Sequence, residues 1–187
     1  MRTKPLFRTA LVLVFLVGVA LLSSCRDQES KAKVVDPNHY TKNGVEFDYP
    51  GDWKVTGDKE LEGGVRYLFV ESPDNALVMV HIIPKIAASD LHEFSRDLSN
   101  ATKEEVEGAA FVGSKFGEAG EDGKYATVEE ELTIDMADVS IPHARKYYRR
   151  EIGDVVCFLT TQVPVDEQAA SNKGLAQVVQ SFQLNGK

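Results

Sequence analysis

The sequence predicts an α+β domain, an antiparallel β-sheet built from hairpins with two main helices packed on it. Three observations carry this reading. Tight-turn dipeptides recur between short runs that alternate apolar and polar residues, two segments switch to helical spacing, and no strand–helix–strand rhythm of a parallel sheet appears.

Asn43-Gly44 stands between Tyr40-Thr41-Lys42 and residues 45–49, and both of its positions tolerate positive φ, so it fits a two-residue hairpin turn. Pro50-Gly51 suits the two central positions of a type II turn. A further strand begins at Trp53 and is broken by Glu62-Gly63-Gly64, after which residues 65–71 and 76–83 pair across Ser72-Pro73-Asp74-Asn75. Asp90-Leu91-His92-Glu93 resembles a capping box, and Leu91, Phe94 and Leu98 follow at three- and four-residue spacing, predicting an amphipathic helix to about Glu105.

The period then returns to two. Residues 111–119 and 124–134 flank Asp122-Gly123, with Ala126, Val128, Leu132 and Ile134 alternating with Thr127, Glu129, Glu131 and Thr133, as in a half-exposed sheet. Residues 141–150 and 155–163 form a last hairpin around Gly153-Asp154, which Pro164 ends. Leu175, Val178, Val179 and Phe182 share one face of a closing helix, and Gly174 obscures where that helix starts. No internal repeat is apparent.

With 187 residues, 43% hydrophobic and 27% charged, the chain has the size and composition of one globular domain plus a leader, which excludes the disordered class. The formal net charge is -8; Arg2, Lys4 and Arg8 lie in the leader, so its removal leaves 18 basic against 29 acidic residues, net -11. An acidic surface of this kind repels phosphate backbones, and nucleic acid is not an expected partner.

The first eight residues hold three positive charges and no negative ones, and residues 10–22 form an uncharged run shorter than the roughly 20 residues a transmembrane helix needs. Leu22-Ser23-Ser24-Cys25 follows and resembles the bacterial lipobox. Small side chains at Ser23 and Ser24 fit a peptidase cleft, and the Cys25 thiol takes a diacylglycerol, so a palmitate-bearing lipoprotein is expected in place of a plain secretory leader or an uncleaved anchor helix. Arg26, where an Asp would favour inner-membrane retention, points to the periplasmic face of the outer membrane. The organisation expected is a signal peptide over 1–24, a lipidated cysteine and polar tether over 25–38, and a globular domain over 39–187.

Candidate chemistry is sparse. His39, His81, His92 and His143 show no metal-ligand spacing, and Ser114 in Gly113-Ser114-Lys115-Phe116-Gly117 lacks the Gly-x-Ser-x-Gly pattern of a hydrolase elbow. Cys157, between Val156 and Phe158, reads as a buried small hydrophobe whose one possible mate is lipidated. No catalytic residue, metal site or cofactor is expected. Two charge runs stand out: Glu129-Glu130-Glu131, and the basic, aromatic run Arg145, Lys146, Tyr147, Tyr148, Arg149 and Arg150. If their strands join near residues 136–139, Glu129 meets Lys146 and Glu130 meets Arg145, each pair contributing a few tenths to about 1 kcal/mol. The alternative is a binding strip that contacts lipid phosphates or an acidic partner.

Residues 44–55, Gly-Val-Glu-Phe-Asp-Tyr-Pro-Gly-Asp-Trp-Lys-Val, resemble the opening hairpin of the fold shared by the photosystem II oxygen-evolving subunit P and the nuclear-import factor Mog1, and Val178-Val179-Gln180-Ser181-Phe182 is similar to its close. This PsbP/Mog1-like resemblance spans nearly the whole mature chain. It implies that Phe47, Tyr49, Pro50 and Trp53 wedge the opening hairpin onto the sheet, and that the protein is a binding or assembly factor without catalytic activity. The expected function is therefore a non-catalytic envelope lipoprotein, held to the membrane by its lipid, that binds or helps assemble an envelope protein partner. The alternative is a carrier of a small hydrophobic or lipid ligand, which a large apolar cavity would favour.

Overall fold

The computed structural model describes residues 37–105, 109–136 and 139–185. The lipidation site Cys25 and the lipobox residues Leu22, Ser23 and Ser24 lie outside them.

The chain opens with a hairpin of β1 (Asn38–Lys42) and β2 (Val45–Tyr49). Asn43 has φ 48° and Gly44 φ 80°, the left-handed pair that a twist-compatible two-residue turn requires. Gly44 is needed for a second reason: a Cβ there would stand 2.6 Å from the carbonyl oxygen of Asn185. That contact belongs to an element the sequence patterning did not reveal. β11 (Gln183–Leu184) joins the free side of β2 and makes a three-stranded sheet, and the Asn185 amide donates to the Gly44 carbonyl at 2.8 Å. Two residues carry too little periodicity to announce a strand.

The turn after β2 differs from the expected type II turn centred on Pro50-Gly51. Trp53 donates its amide to the Pro50 carbonyl at 3.0 Å, so Pro50 is the first residue of the turn, and Gly51 does not have positive φ. Lacking an N–H, Pro50 ends the β2 ladder while its carbonyl stays free to accept.

Eight strands form the main sheet: β3 (Lys54–Glu60), β4 (Arg66–Glu71), β5 (Leu77–Pro84), β6 (Ala109–Phe116), β7 (Gly120–Asp122), β8 (Tyr125–Met136), β9 (Val139–Ile152) and β10 (Val155–Pro164). Their order is β3-β4-β5-β10-β9-β8-β6, all antiparallel, with β7 also on β8. The strand expected over residues 111–119 thus ends at Phe116, and a separate short strand, β7, follows from Gly120. Between Phe111 and Ser114 the β6 register advances by one extra residue, a bulge at which Gly113 has φ 81°. The bulge re-aims the residues after it.

Helix α1 (Leu91–Glu105) covers one face and α2 (Gln168–Ser181) the other. The Asp90 carboxylate accepts the Glu93 amide at 2.9 Å, which satisfies one orphan donor at the start of α1. Leu91 and Phe94 pack with Val128, Tyr147, Val156 and Phe158, and the Phe94 and Phe158 rings stack with centroids 3.9 Å apart. On the other face Leu175, Val178 and Val179 join Val80, Leu159 and Val163, together with Phe47 and Trp53 from the opening hairpin and its turn. Gly174 lies within α2, where a Cβ would stand 2.6 Å from the Trp53 indole and 2.9 Å from the Pro50 ring. The residue that weakened the helix reading is what lets the helix approach.

Cys157 is 0% exposed and unpaired, and burial pushes its thiol up to about 12. Alkylation of Cys157 by iodoacetamide in the native protein should therefore be about a hundredfold slower than in denaturant, because the thiolate forms only on opening. Rapid native labelling, followed by mass spectrometry, would contradict the burial.

Buried charges pin the hairpin to the main sheet. Arg66 donates to both oxygens of Asp58 (2.8 and 3.2 Å), to the Tyr40 hydroxyl (3.0 Å) and to the Lys42 and Asn43 carbonyls (3.1 and 3.3 Å). The hydrogen bonds from Arg66, with those from Lys42 and Tyr40, hold the Asp58 carboxyl well below the usual carboxylate range. A depressed folded-state pKa adds stability that is complete above the unfolded value, near 3.9, and is lost as pH falls below it. Urea midpoints measured from about pH 5 down to about pH 2.5 should fall more steeply in the wild type than in Asp58→Asn. Parallel slopes would remove Asp58 from the acid sensitivity.

Candidate functional site

The β8–β9 register sets Glu129 opposite Lys146 and Glu130 opposite Arg145, the pairing the two charge runs predict. The same register dissolves the run from Arg145 to Arg150 as a continuous surface. Successive strand residues point to opposite faces, so Arg145, Tyr147 and Arg149 go to the α1 side, and Lys146, Tyr148 and Arg150 go to the α2 side. Arg145 is 2% and Tyr147 0% exposed. Lys146, half-buried, is engaged by Asp122 at 3.1 Å and Glu129 at 3.5 Å, while Arg149 pairs with Glu151 at 2.9 Å. The expected strip is thus split between an interior set, Arg145, Tyr147 and Tyr148, and a partly exposed set in which Lys146 and Arg149 pair with carboxylates.

The interior set on the α1 side centres on Glu130. Its Oε1 accepts from the Ser99 hydroxyl at 2.6 Å and from the Ser114 hydroxyl, and its Oε2 accepts from Tyr147 at 2.5 Å and from Arg145 at 3.3 Å. Arg145 also donates to the Gln162 carboxamide at 2.5 and 2.9 Å and to the Tyr147 hydroxyl at 3.1 Å. One carboxylate therefore ties together α1, β6, β8 and β9, and through Arg145 also β10. Burial, reinforced by the Glu130 bond, pushes the Tyr147 hydroxyl well above its ordinary value. All of the roughly four acceptor positions of Glu130 are occupied by protein donors, which makes it a structural hub with no free position for a substrate proton. Its burial was legible by parity: Glu130 shares the strand face of Val128 and Leu132.

On the opposite face, α2 covers only part of the sheet and leaves a half-open groove of about 1010 Å³ beside it. One wall is the flank of α2, with Gln168, Asn172, Leu175 and Ala176. The floor is Ala144, Lys146, Tyr148, Thr161 and Val163 of β9 and β10, and Lys115, Glu129, Glu131 and Thr133 form the far wall. Lys115 and Glu131 are register partners across β6 and β8, both exposed, and among the described residues neither makes an ion pair. Sequence reasoning did not single out the α2 flank, since its carboxamides and alanine look like ordinary solvent-facing helix positions.

The remaining sequence candidates are structural. Phe47 is 1% exposed, stacks on Tyr40 at 4.8 Å and touches Tyr49 at 5.9 Å; with Pro50 and Trp53 it joins the hairpin to the core. His81, edge-on between Tyr67 and Phe94, is lowered to about 4 by burial. His39 meets Asp48 at 2.7 Å on the exposed hairpin, and His143 meets the Ile141 carbonyl at 3.0 Å. Among the described residues no three His, Cys, Asp or Glu side chains converge on a metal-sized site, and no helix is long and apolar enough to cross a membrane.

No family model and no curated protein matches the chain. Solved structures do. The chain is similar to cyanobacterial PsbP (CyanoP) of Synechocystis sp. PCC 6803, with 15% identity and a TM-score of 0.50 over 88% of this chain and 99% of that one. It is also similar to the Ran-binding protein Mog1p of Saccharomyces cerevisiae, with 12% identity and a TM-score of 0.49 over 80% and 96% of the two chains. LpqN of Mycobacterium tuberculosis, involved in cell envelope biogenesis, gives 12% identity and a TM-score of 0.44 over 80% and 90%. Identities this low speak to architecture alone: two helices on a large antiparallel sheet make this an α+β domain with the PsbP/Mog1-like fold.

Proposed function

We propose that this protein is a non-catalytic envelope lipoprotein, anchored through Cys25 at the periplasmic face of the outer membrane, that binds or helps assemble another envelope component through the groove beside α2. The groove carries the reading. It is a concave surface in which helix and sheet side chains converge, while the buried Glu130–Arg145 network on the other face is saturated by its own partners. The lipid-carrier reading is less well supported, because an acyl chain in this groove would desolvate Lys115, Glu129, Glu131 and Lys146 without replacing their water.

In-cell photocrosslinking of the full chain tests the docking role. A photoreactive residue at Asn172 should yield a discrete crosslinked species that the same residue at Arg96, exposed on α1, does not. Identical products from both positions would overturn it. Radiolabelled palmitate tests the anchor, since Cys25→Ala should abolish incorporation.

A further inference from the structure

The chemistry of the groove is specific enough to name the kind of partner. We infer that it takes an extended polypeptide segment of about six residues from a partner protein, lying along α2, apolar on one side and carrying an acidic and a basic residue on the other. This rests on the docking role proposed above.

Shape comes first. The groove runs beside β9 from Pro142 to Tyr148, seven residues that rise about 20 Å at the spacing of a strand. An extended chain alternates its side chains every residue, and the two walls of the groove differ in the same sense. Toward α2 and β10 the exposed apolar groups are Ala176 and Val165, with the buried Leu175 and Val163 beneath them; toward β8 and β6 the wall is Lys115, Glu129, Glu131 and Thr133. A segment with apolar residues at one parity and polar residues at the other satisfies both.

Polar matching comes second. Main-chain amides present a donor and an acceptor per residue, and a carboxamide offers both. Gln168 and Asn172 line the α2 wall, and among the described residues neither side-chain carboxamide makes a hydrogen bond to another protein group. Hydroxyl-only or aliphatic walls would offer a peptide backbone less.

Charge decides among ligands. Lys146 is already engaged by Glu129 and Asp122, whereas Lys115 and Glu131 face each other across the ladder without an ion pair. Among the described residues the far wall therefore presents one available cation, Lys115, and one available carboxylate, Glu131, adjacent and balanced. A polyanion meets Glu131, a polycation meets Lys115, and an acyl chain satisfies neither. A segment bearing one residue of each sign complements both, and its binding depends little on salt.

A displayed library of random linear heptapeptides, panned on the full lipidated chain in detergent, provides the probe. Enriched peptides should alternate apolar and polar residues, carry both charge signs, and bind the wild type about tenfold more tightly than Ala176→Arg, which fills the groove from an exposed helix position. Reversing the pair in Lys115→Glu with Glu131→Lys should preserve affinity for peptides of reversed charge order, while Lys115→Glu alone weakens it. No enrichment over Ala176→Arg, enrichment of single-sign peptides, or displacement of the selected peptides by oleate would overturn the inference. If Asn172 crosslinks a partner in cells while the library gives nothing, docking stands and the extended-polypeptide assignment fails.

Discussion

Arg145→Met should destabilise the protein by about 3–5 kcal/mol, because it strips the paired cation from a carboxylate that cannot reach water. Both side chains of the pair are 0% exposed. Removing the guanidinium leaves Glu130 charged and buried, and leaves Gln162 without its two donors. The lost charge is expected to matter more than the lost volume, since methionine fills much of the same space. Glu130→Gln with Arg145→Met should recover part of the loss, with a coupling energy of about 1–3 kcal/mol in a double-mutant cycle. Urea denaturation of the full chain in detergent gives all four corners. A single-variant loss under about 1 kcal/mol would mean that water reaches the pair and that the hub does not organise the sheet.

Trp53→Ala is the second large effect, about 3–5 kcal/mol, as for other large-to-Ala truncations in a core. Trp53 is 7% exposed and packs where α2, the opening hairpin and the main sheet meet, so the vacancy cannot collapse from one side alone. The companion variant Gly174→Ala separates packing from helix propensity. Alanine favours a helix interior by about 1 kcal/mol over glycine. The new Cβ, however, would stand 2.6 Å from the indole and 2.9 Å from the rigid Pro50 ring, and overpacking of this kind costs about 1–3 kcal/mol. Gly174→Ala should therefore be neutral to destabilising in the wild type and less costly in Trp53→Ala, where the indole contact is gone and only the Pro50 contact remains. A stabilising Gly174→Ala in both backgrounds would show that the helix is not held close by Trp53.

The buried hub also bears on how sequence patterns are read. Alternation over residues 126–134 placed a half-exposed strand correctly, and the register of Glu129 with Lys146 and Glu130 with Arg145 followed from where the turn had to fall. The alternative, that the six residues from Arg145 onward form one strip, fails on the rule that makes them a strand. A period of two divides any charged run between two faces, and the face shared with Val128 and Phe158 is interior. A pair expected to add a few tenths to about 1 kcal/mol at the surface becomes, once desolvated, one whose rupture costs several times that.

Local sequence alone determined the hairpin turns, the capped start of α1, the apolar face of α2 and the α+β class. Each rests on neighbours within a few residues: Asn43-Gly44 accepts left-handed φ, Asp90 reaches the Glu93 amide, and Leu175, Val178 and Val179 share a helical face. Tertiary structure decided the rest. The two-residue β11 exists because β2 offers an open edge, and Gly174 is tolerated in a helix because Trp53 occupies the space of its side chain. The groove depends on how far α2 reaches across the sheet, which leaves Lys115 and Glu131 beside Gln168 and Asn172 although more than 35 residues of chain separate the two groups. Such placements are set by packing between distant segments, and no local period encodes them.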